Sequence, residues 1–114
     1  METGLYIHVP FCVSKCNYCD FYSVVPGDSR EKDEYLTALA VELAGLPEGF
    51  RCATVYIGGG TPTVLSISEL NRLFAILAEN VDLRDVREFS VEANPGNLSN
   101  QKAELLQKKG VNRI

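Results

Sequence analysis

Cys12, Cys16 and Cys19 are the residues of this chain with the plainest capacity for chemistry. Their spacing, C-x3-C-x2-C, puts three thiols on one short stretch, where the thiolates can converge on a soft metal ion or an iron-sulfur cluster. A cubane cluster held by only three protein thiolates keeps one iron open to an outside ligand, by the logic that gives catalytic zinc sites their open position. The competing chemistry is a structural zinc module for protein interaction, with His8, the only histidine, or Cys52 as fourth ligand. Against zinc, C-x2-C here has no second, distant ligand pair. Cys52 lies outside the cluster, just before a β-rich run, and suits a small packed residue.

Two further clusters carry polar or glycine chemistry. Gly58-Gly59-Gly60-Thr61-Pro62-Thr63 holds three consecutive glycines, which permit close backbone approach to a ligand that any Cβ would block. A plain tight turn is the simpler reading of such a run, and the absence of a following lysine argues against a phosphate-cradling loop. Glu92 follows the apolar run Phe89-Ser90-Val91 and precedes Asn94-Pro95, so its carboxylate is expected at a strand mouth. There it suits an ammonium or a ribose hydroxyl, the alternative being a solvated carboxylate at a strand end. Tyr6, Phe11, Tyr18, Phe21 and Tyr22 crowd the cysteine segment and would shield a core or a cluster from water.

The elements that must position these groups follow from periodicity. Residues 5 to 9 form a β-rich run that stops at Pro10, and turn residues from 10 to 29 predict a long loop. From Arg30 to Ala44, Tyr35, Leu36, Leu39, Ala40 and Leu43 recur at helical spacing, with Gly45 and Pro47 beyond. A second unit has a strand over Ala53 to Ile57, a glycine loop over Gly58 to Pro62, and a capping-box signal at Ser66 and Glu69. A helix through Leu70, Leu73, Phe74 and Leu77 completes it. The third has a strand over Phe89 to Val91, a turn at Asn94-Pro95-Gly96, and a helix capped near Ser99 that carries Ala103, Leu105 and Leu106 and ends at Gly110. Val111 to Ile114 reads as the start of a fourth strand.

Three strand-loop-helix units predict an α/β fold with a parallel sheet covered by helices, either barrel or open. Both forms place functional groups after the carboxyl ends of strands, so the cysteines, the glycine run and Glu92 should converge on one face. The 114 residues, 46% of them hydrophobic, suit one domain or part of one. An open three-stranded parallel sheet would expose apolar surface, so residues 1–114 are expected to be the N-terminal part of a larger domain. A net charge of −4, from 15 acids against 11 bases, argues against nucleic acid as a partner. No apolar run approaches the ~20 residues that span a bilayer, and the N-terminus has no basic n-region. A cytoplasmic protein is expected, which favours metal over disulfides for the clustered thiols.

In order, Tyr6-Ile-His-Val-Pro-Phe-Cys12, the cysteine triad, Gly58-Gly-Gly-Thr-Pro-Thr63, Glu92-Ala-Asn-Pro95 and Gly110-Val-Asn-Arg-Ile114 resemble one subfamily of radical S-adenosylmethionine (radical SAM) proteins. That subfamily holds the oxygen-independent coproporphyrinogen III oxidases and the heme chaperone HemW. The resemblance covers essentially all of the chain but only about the first third of a member's length. It implies the N-terminal part of a TIM-like parallel (β/α) barrel, with further barrel and a C-terminal domain beyond. It also implies a 4Fe-4S cluster on Cys12, Cys16 and Cys19, its open iron chelated by the amino and carboxylate groups of S-adenosylmethionine. Reduction would then cleave the sulfonium to a 5′-deoxyadenosyl radical, chemistry that belongs to the cofactor.

By position, the resemblance assigns Gly59, Gly60 and Thr61 to the methionine amino group and Glu92 to the same cofactor. It sets Tyr6 beside the cluster and Tyr18, through its backbone, against the adenine; no catalytic residue is assigned. The oxidases carry a fourth cysteine two residues after the third, where this chain has Phe21. This departure favours the heme chaperone, which binds heme and passes it to apo-hemoproteins. Oxidative decarboxylation of coproporphyrinogen propionates, a dehydrogenase-type oxidoreduction, is the alternative. His8, a single histidine in a strand, reads as structural in either case.

Overall fold

Burial alternates along the strands, and this separates the sheet into two unlike faces. The computed structural model describes residues 3–11 and 29–114. It has three strands, β1 (Gly4–Val9), β2 (Thr54–Gly59) and β3 (Glu88–Val91), in the order β1-β2-β3. Both pairings are parallel, with Tyr6 opposite Tyr56 and Tyr56 opposite Ser90. Ile7, Val9, Val55, Ile57, Phe89 and Val91 are buried on one face. The opposite face carries Tyr6, His8, Tyr56 and Ser90, since successive strand side chains point to opposite sides. Tyr6 and Tyr56 there are 55% and 42% exposed, so the open face is aromatic and polar rather than the bare apolar surface expected of an unclosed sheet.

Among the described residues, three α-helices cover the apolar face: α1 (Ser29–Ala44), α2 (Ile67–Asn80) and α3 (Asn100–Lys108). Leu36, Leu39 and Leu43 of α1, Leu70, Leu73, Phe74, Ile76 and Leu77 of α2, and Leu106 of α3 join the strand residues in one core. The capping box at the start of α2 forms in full, with Ser66 N–H donating to Glu69 Oε1 at 2.8 Å and Glu69 N–H to Ser66 Oγ at 3.1 Å. Ser99 caps α3 by accepting from Lys102 N–H, as its sequence position predicts. Cys52 is buried and in no disulfide, in keeping with a packed residue. Among the described residues, no helix is long and apolar enough to cross a membrane.

Two element ends differ from the periodicity reading. β2 runs on through Gly58 and Gly59, which pair with His8 and Val9, so the glycine run begins inside the strand. Glycine has little intrinsic strand preference, but the ladder to β1 carries it. At the other end, Arg113 makes a single parallel bridge to Ser90, with Val91 N–H donating to Arg113 O at 3.0 Å. Residues 111–114 therefore start along the outer edge of β3, as a bridge rather than a full strand.

Helix α1 is tied to the sheet by Tyr35, whose hydroxyl donates to the His8 carbonyl at 2.5 Å. Burial, reinforced by the charge of Glu42, pushes this phenol up to about 12. A phenol that ionises later in the folded state than in the unfolded one favours folding while both are neutral, and that contribution falls as pH rises past the ordinary tyrosine value. We expect the stability of the full-length protein to decline between about pH 10 and 12. In Tyr35→Phe this part of the decline should be missing, and urea unfolding across that range checks it.

Candidate functional site

The backbone ladder between β1 and β2 continues past the strands themselves. Gly60 N–H donates to Val9 O at 2.7 Å, and Thr61 N–H donates to Phe11 O at 2.6 Å. The residue that leads into the cysteine segment is therefore bonded directly to the glycine loop. Phe11 itself is buried and meets the Tyr35 ring edge-on, with centroids 5.6 Å apart. Cys12, Cys16, Cys19 and Tyr18 lie outside the described residues.

At Gly58 and Gly59 the space a side chain would take is already filled. A Cβ on Gly58 would overlap the Glu92 carboxylate and the Tyr56 ring. One on Gly59 would lie 2.5 Å from His8 Nδ1, and Gly59 also has φ +110°, in the region that favours glycine. These glycines thus let β1 and β3 side chains close over the end of β2, a role that the sequence reading, directed at an outside ligand, did not include.

The glycine loop is also tied to the third strand-helix unit. Thr63 is fully buried, its Oγ1 accepting from Asn94 N–H at 3.4 Å and its carbonyl accepting from Lys102 Nζ at 2.6 Å. Desolvation lowers the Lys102 ammonium below the ordinary lysine range, helped by Lys32 and opposed by Glu69. Sequence pattern assigns a positioning role to neither Thr63 nor Lys102. They are 39 residues apart, and nothing local to either residue signals the pairing.

Glu92 leaves β3 with its N–H still donating to Ile57 O at 2.9 Å. Its carboxylate Oε1 accepts the Tyr56 hydroxyl at 2.6 Å. That hydrogen bond is the main cause holding the Tyr56 phenol above its ordinary range; burial and the charge of Glu92 add to it, and Arg113 opposes it. The Tyr6 ring stacks on Tyr56, with centroids 5.7 Å apart and planes at 22°. The Tyr6 hydroxyl lies 3.2 Å from His8 Nδ1, so His8 does share a side of β1 with Tyr6. A cavity of about 440 Å³ opens beside the pair, lined by Tyr56, Ser90, Glu92, Ala93 and Arg113 among others.

Of the residues singled out in the sequence, Gly59, Gly60, Thr61 and Glu92 stand at the carboxyl ends of β2 and β3, whereas Tyr6 lies in the middle of β1 and is joined to Glu92 through Tyr56. Tyr56 was missed. Period-two alternation puts it on the same face as Gly58, and a parallel sheet puts it between β1 and β3 residues, which is the signal that would have found it. The donor set fits a cationic or hydroxyl-bearing ligand, because a carboxylate has several lone-pair directions and only one oxygen is engaged by Tyr56. Among the described residues, no three His, Cys, Asp or Glu side chains are placed to hold a metal ion.

Comparison with known proteins shows the family and the fold. Residues 6–114 match the family model of the radical SAM superfamily. The chain is 45% identical to the heme chaperone HemW of Lactococcus lactis, over 96% of its own length and 28% of that protein's. It is 42% identical to the heme chaperone HemW of Bacillus subtilis, over 96% of itself and 30% of the relative. Identity to the oxygen-independent coproporphyrinogen III oxidase of Escherichia coli is 34%, over 97% of the chain and 25% of the oxidase. The solved structure of the coproporphyrinogen III oxidase HemN from Escherichia coli, described as a radical SAM enzyme, superposes with a TM-score of 0.84 at 33% identity. That match covers 98% of this chain and 27% of that one. The chain therefore spans between a quarter and a third of the length of these relatives, and corresponds to the N-terminal part of their fold.

The two strand-end glycines should differ in their tolerance of a methyl group. The groups against Gly58 are the ends of side chains that can swing aside, whereas Gly59 adds positive φ and the Val9 carbonyl to the His8 ring. Gly58→Ala should lower the stability of the full-length protein by about 1 kcal/mol and Gly59→Ala by about 2 to 3 kcal/mol. Urea unfolding of both variants tests this, and the reverse order would contradict it.

Proposed function

The chain belongs to the radical SAM superfamily, and from that premise we propose that the protein is a heme chaperone of the HemW kind. In this reading Cys12, Cys16 and Cys19 hold a 4Fe-4S cluster, with S-adenosylmethionine beside it. Membership implies both groups. Bound together, they supply reductive cleavage of the cofactor's sulfonium.

One observation carries the reading. The backbone leading into the cysteine segment is hydrogen-bonded to Gly60 and Thr61, the loop that the family motif assigns to the cofactor's methionine end. The chain's own residues then have distinct tasks. The cysteine thiolates ligate the cluster, and Gly59, Gly60 and Thr61 offer backbone without bulk to the amino group. Glu92 offers a carboxylate oxygen, Tyr6 packs near the cluster, and Tyr18 meets the adenine through its backbone. Lys102 and Asn94 fasten the glycine loop at Thr63, and Tyr35 fastens α1 to β1.

Heme, and apo-hemoproteins that receive it, are the proposed partners. Phe21 stands where the oxidases have a fourth cysteine, and identity to the named heme chaperones of Lactococcus lactis and Bacillus subtilis exceeds that to the named oxidase. A cytoplasmic location suits three thiols committed to a cluster. Decarboxylation of coproporphyrinogen propionates is the second reading, favoured by the superposition on the oxidase structure.

Anaerobic iron-sulfur reconstitution of the full-length protein tests the proposal, with visible and EPR spectra recorded with and without S-adenosylmethionine. Wild type should turn brown and give an EPR signal that the cofactor perturbs, and Cys16→Ala should give neither. The reconstituted protein should also bind heme, release it to an apo-hemoprotein, and leave coproporphyrinogen III unchanged. A colourless protein that retains zinc would put a structural zinc module in place of this reading. Loss of carboxylate from coproporphyrinogen would put the oxidase in its place.

A further inference from the structure

Tyr56 is not among the groups that the family motif assigns to the cofactor, yet the geometry at the end of β3 turns on it. Its hydroxyl, on a ring 42% exposed, is directed to Glu92 Oε1 at 2.6 Å rather than left to solvent. The ring is held from one side by the Tyr6 stack. Gly58 lies beneath the contact, and any Cβ there would strike both partners, so the strand is shaped to let them meet. Glu92 has a long side chain with several torsions to fix, and at the end of a strand it would otherwise sample many rotamers.

We propose that Tyr56 is a positioning residue, its hydroxyl engaging one oxygen of Glu92 so that the other is aimed at the ammonium or ribose hydroxyl of S-adenosylmethionine. The inference rests on the reading of Glu92 as a cofactor contact given above. A phenol-carboxylate hydrogen bond is charge-assisted and short, strong enough to select one carboxylate orientation. Tyr6 takes part by stacking, which holds the Tyr56 ring without bonding to Glu92 itself. Preset in this way, the carboxylate loses less freedom when the ligand arrives, and affinity rises through the ordering already done.

The test uses the full-length protein with its cluster reconstituted. Cofactor affinity is measured by equilibrium dialysis for wild type, Tyr56→Phe, Glu92→Ala and the double variant, at matched iron content and circular dichroism. Tyr56→Phe should weaken binding about three- to tenfold, and Glu92→Ala should weaken it more. Adding Tyr56→Phe to Glu92→Ala should change nothing further, because the phenol acts only through the carboxylate. Tyrosinate absorbance gives a second readout without the cofactor. Tyr35 and Tyr56 both ionise above the ordinary range in wild type; Tyr56→Phe should lose one of these two late-titrating phenols, and in Glu92→Ala one of them should return towards the ordinary range.

Unchanged affinity in Tyr56→Phe beside a clear loss in Glu92→Ala would overturn the positioning role and leave the Glu92 assignment standing. An equal loss from Tyr56→Phe in both backgrounds would overturn it too, since the hydroxyl would then act by another route. Unchanged affinity in Glu92→Ala would remove the cofactor assignment of Glu92 itself, and the inference with it.

Discussion

Between β1 and β3 the last two residues of β2 carry no side chains, and their neighbours occupy the space. Over Gly58 lie the Tyr56 ring and the Glu92 carboxylate, and over Gly59 lies the His8 ring. Because the strands are parallel and in register, this gap sits level with the carboxyl ends of all three. A Cβ on Gly58 would turn the Tyr56 and Glu92 side chains aside, and one on Gly59 would meet the His8 ring and the Val9 carbonyl, the same carbonyl that Gly60 N–H bonds. The acidic strand end thus depends on the missing side chain of Gly58, and the contact of β1 with the glycine loop on that of Gly59.

What holds that end rigid lies mostly behind it. Each fully buried leucine, isoleucine or valine on the helix-covered face contributes about 1.5–3 kcal/mol relative to exposure. Ion pairs of exposed arginines, such as Arg84 with Asp82 at 2.9 Å and Arg113 with Glu88 at 2.8 Å, are screened by water and add little beside that burial. The core therefore sets the fold and the surface charges do not. Polar groups matter where they fasten one element to another: Tyr35 ties α1 to β1 at the His8 carbonyl, and Asn94 and Lys102 tie the third unit to Thr63.

The two faces of the sheet divide the work. Helices α1 to α3 cover one face, while the other keeps Tyr6, His8, Tyr56 and Ser90, with Glu92 at its end. A closed parallel barrel directs such a face inward and gathers its functional groups at the carboxyl ends of the strands. This sheet superposes on the N-terminal part of a radical SAM fold.

Much of this was legible in the sequence because it is local. Alternation and helical spacing repeat within a few residues, which is why the three strand-helix units, the Ser66 capping box, the Ser99 cap and a packed Cys52 could be read directly. The spacing of the cysteines and the order of the motifs likewise need only the chain. Other features needed the register between strands and the packing of helices on them. These are the extension of β2 through Gly59, the Tyr35 bond 27 residues from its partner, the Lys102 clasp across 39, and the Tyr56–Glu92 pair across 36. The sequence by itself determined which residue types stand at the carboxyl ends of the strands. Which of them touch was decided only in the tertiary structure, because a hydrogen bond between distant residues exists only once the whole sheet has fixed how far each strand is shifted against the next.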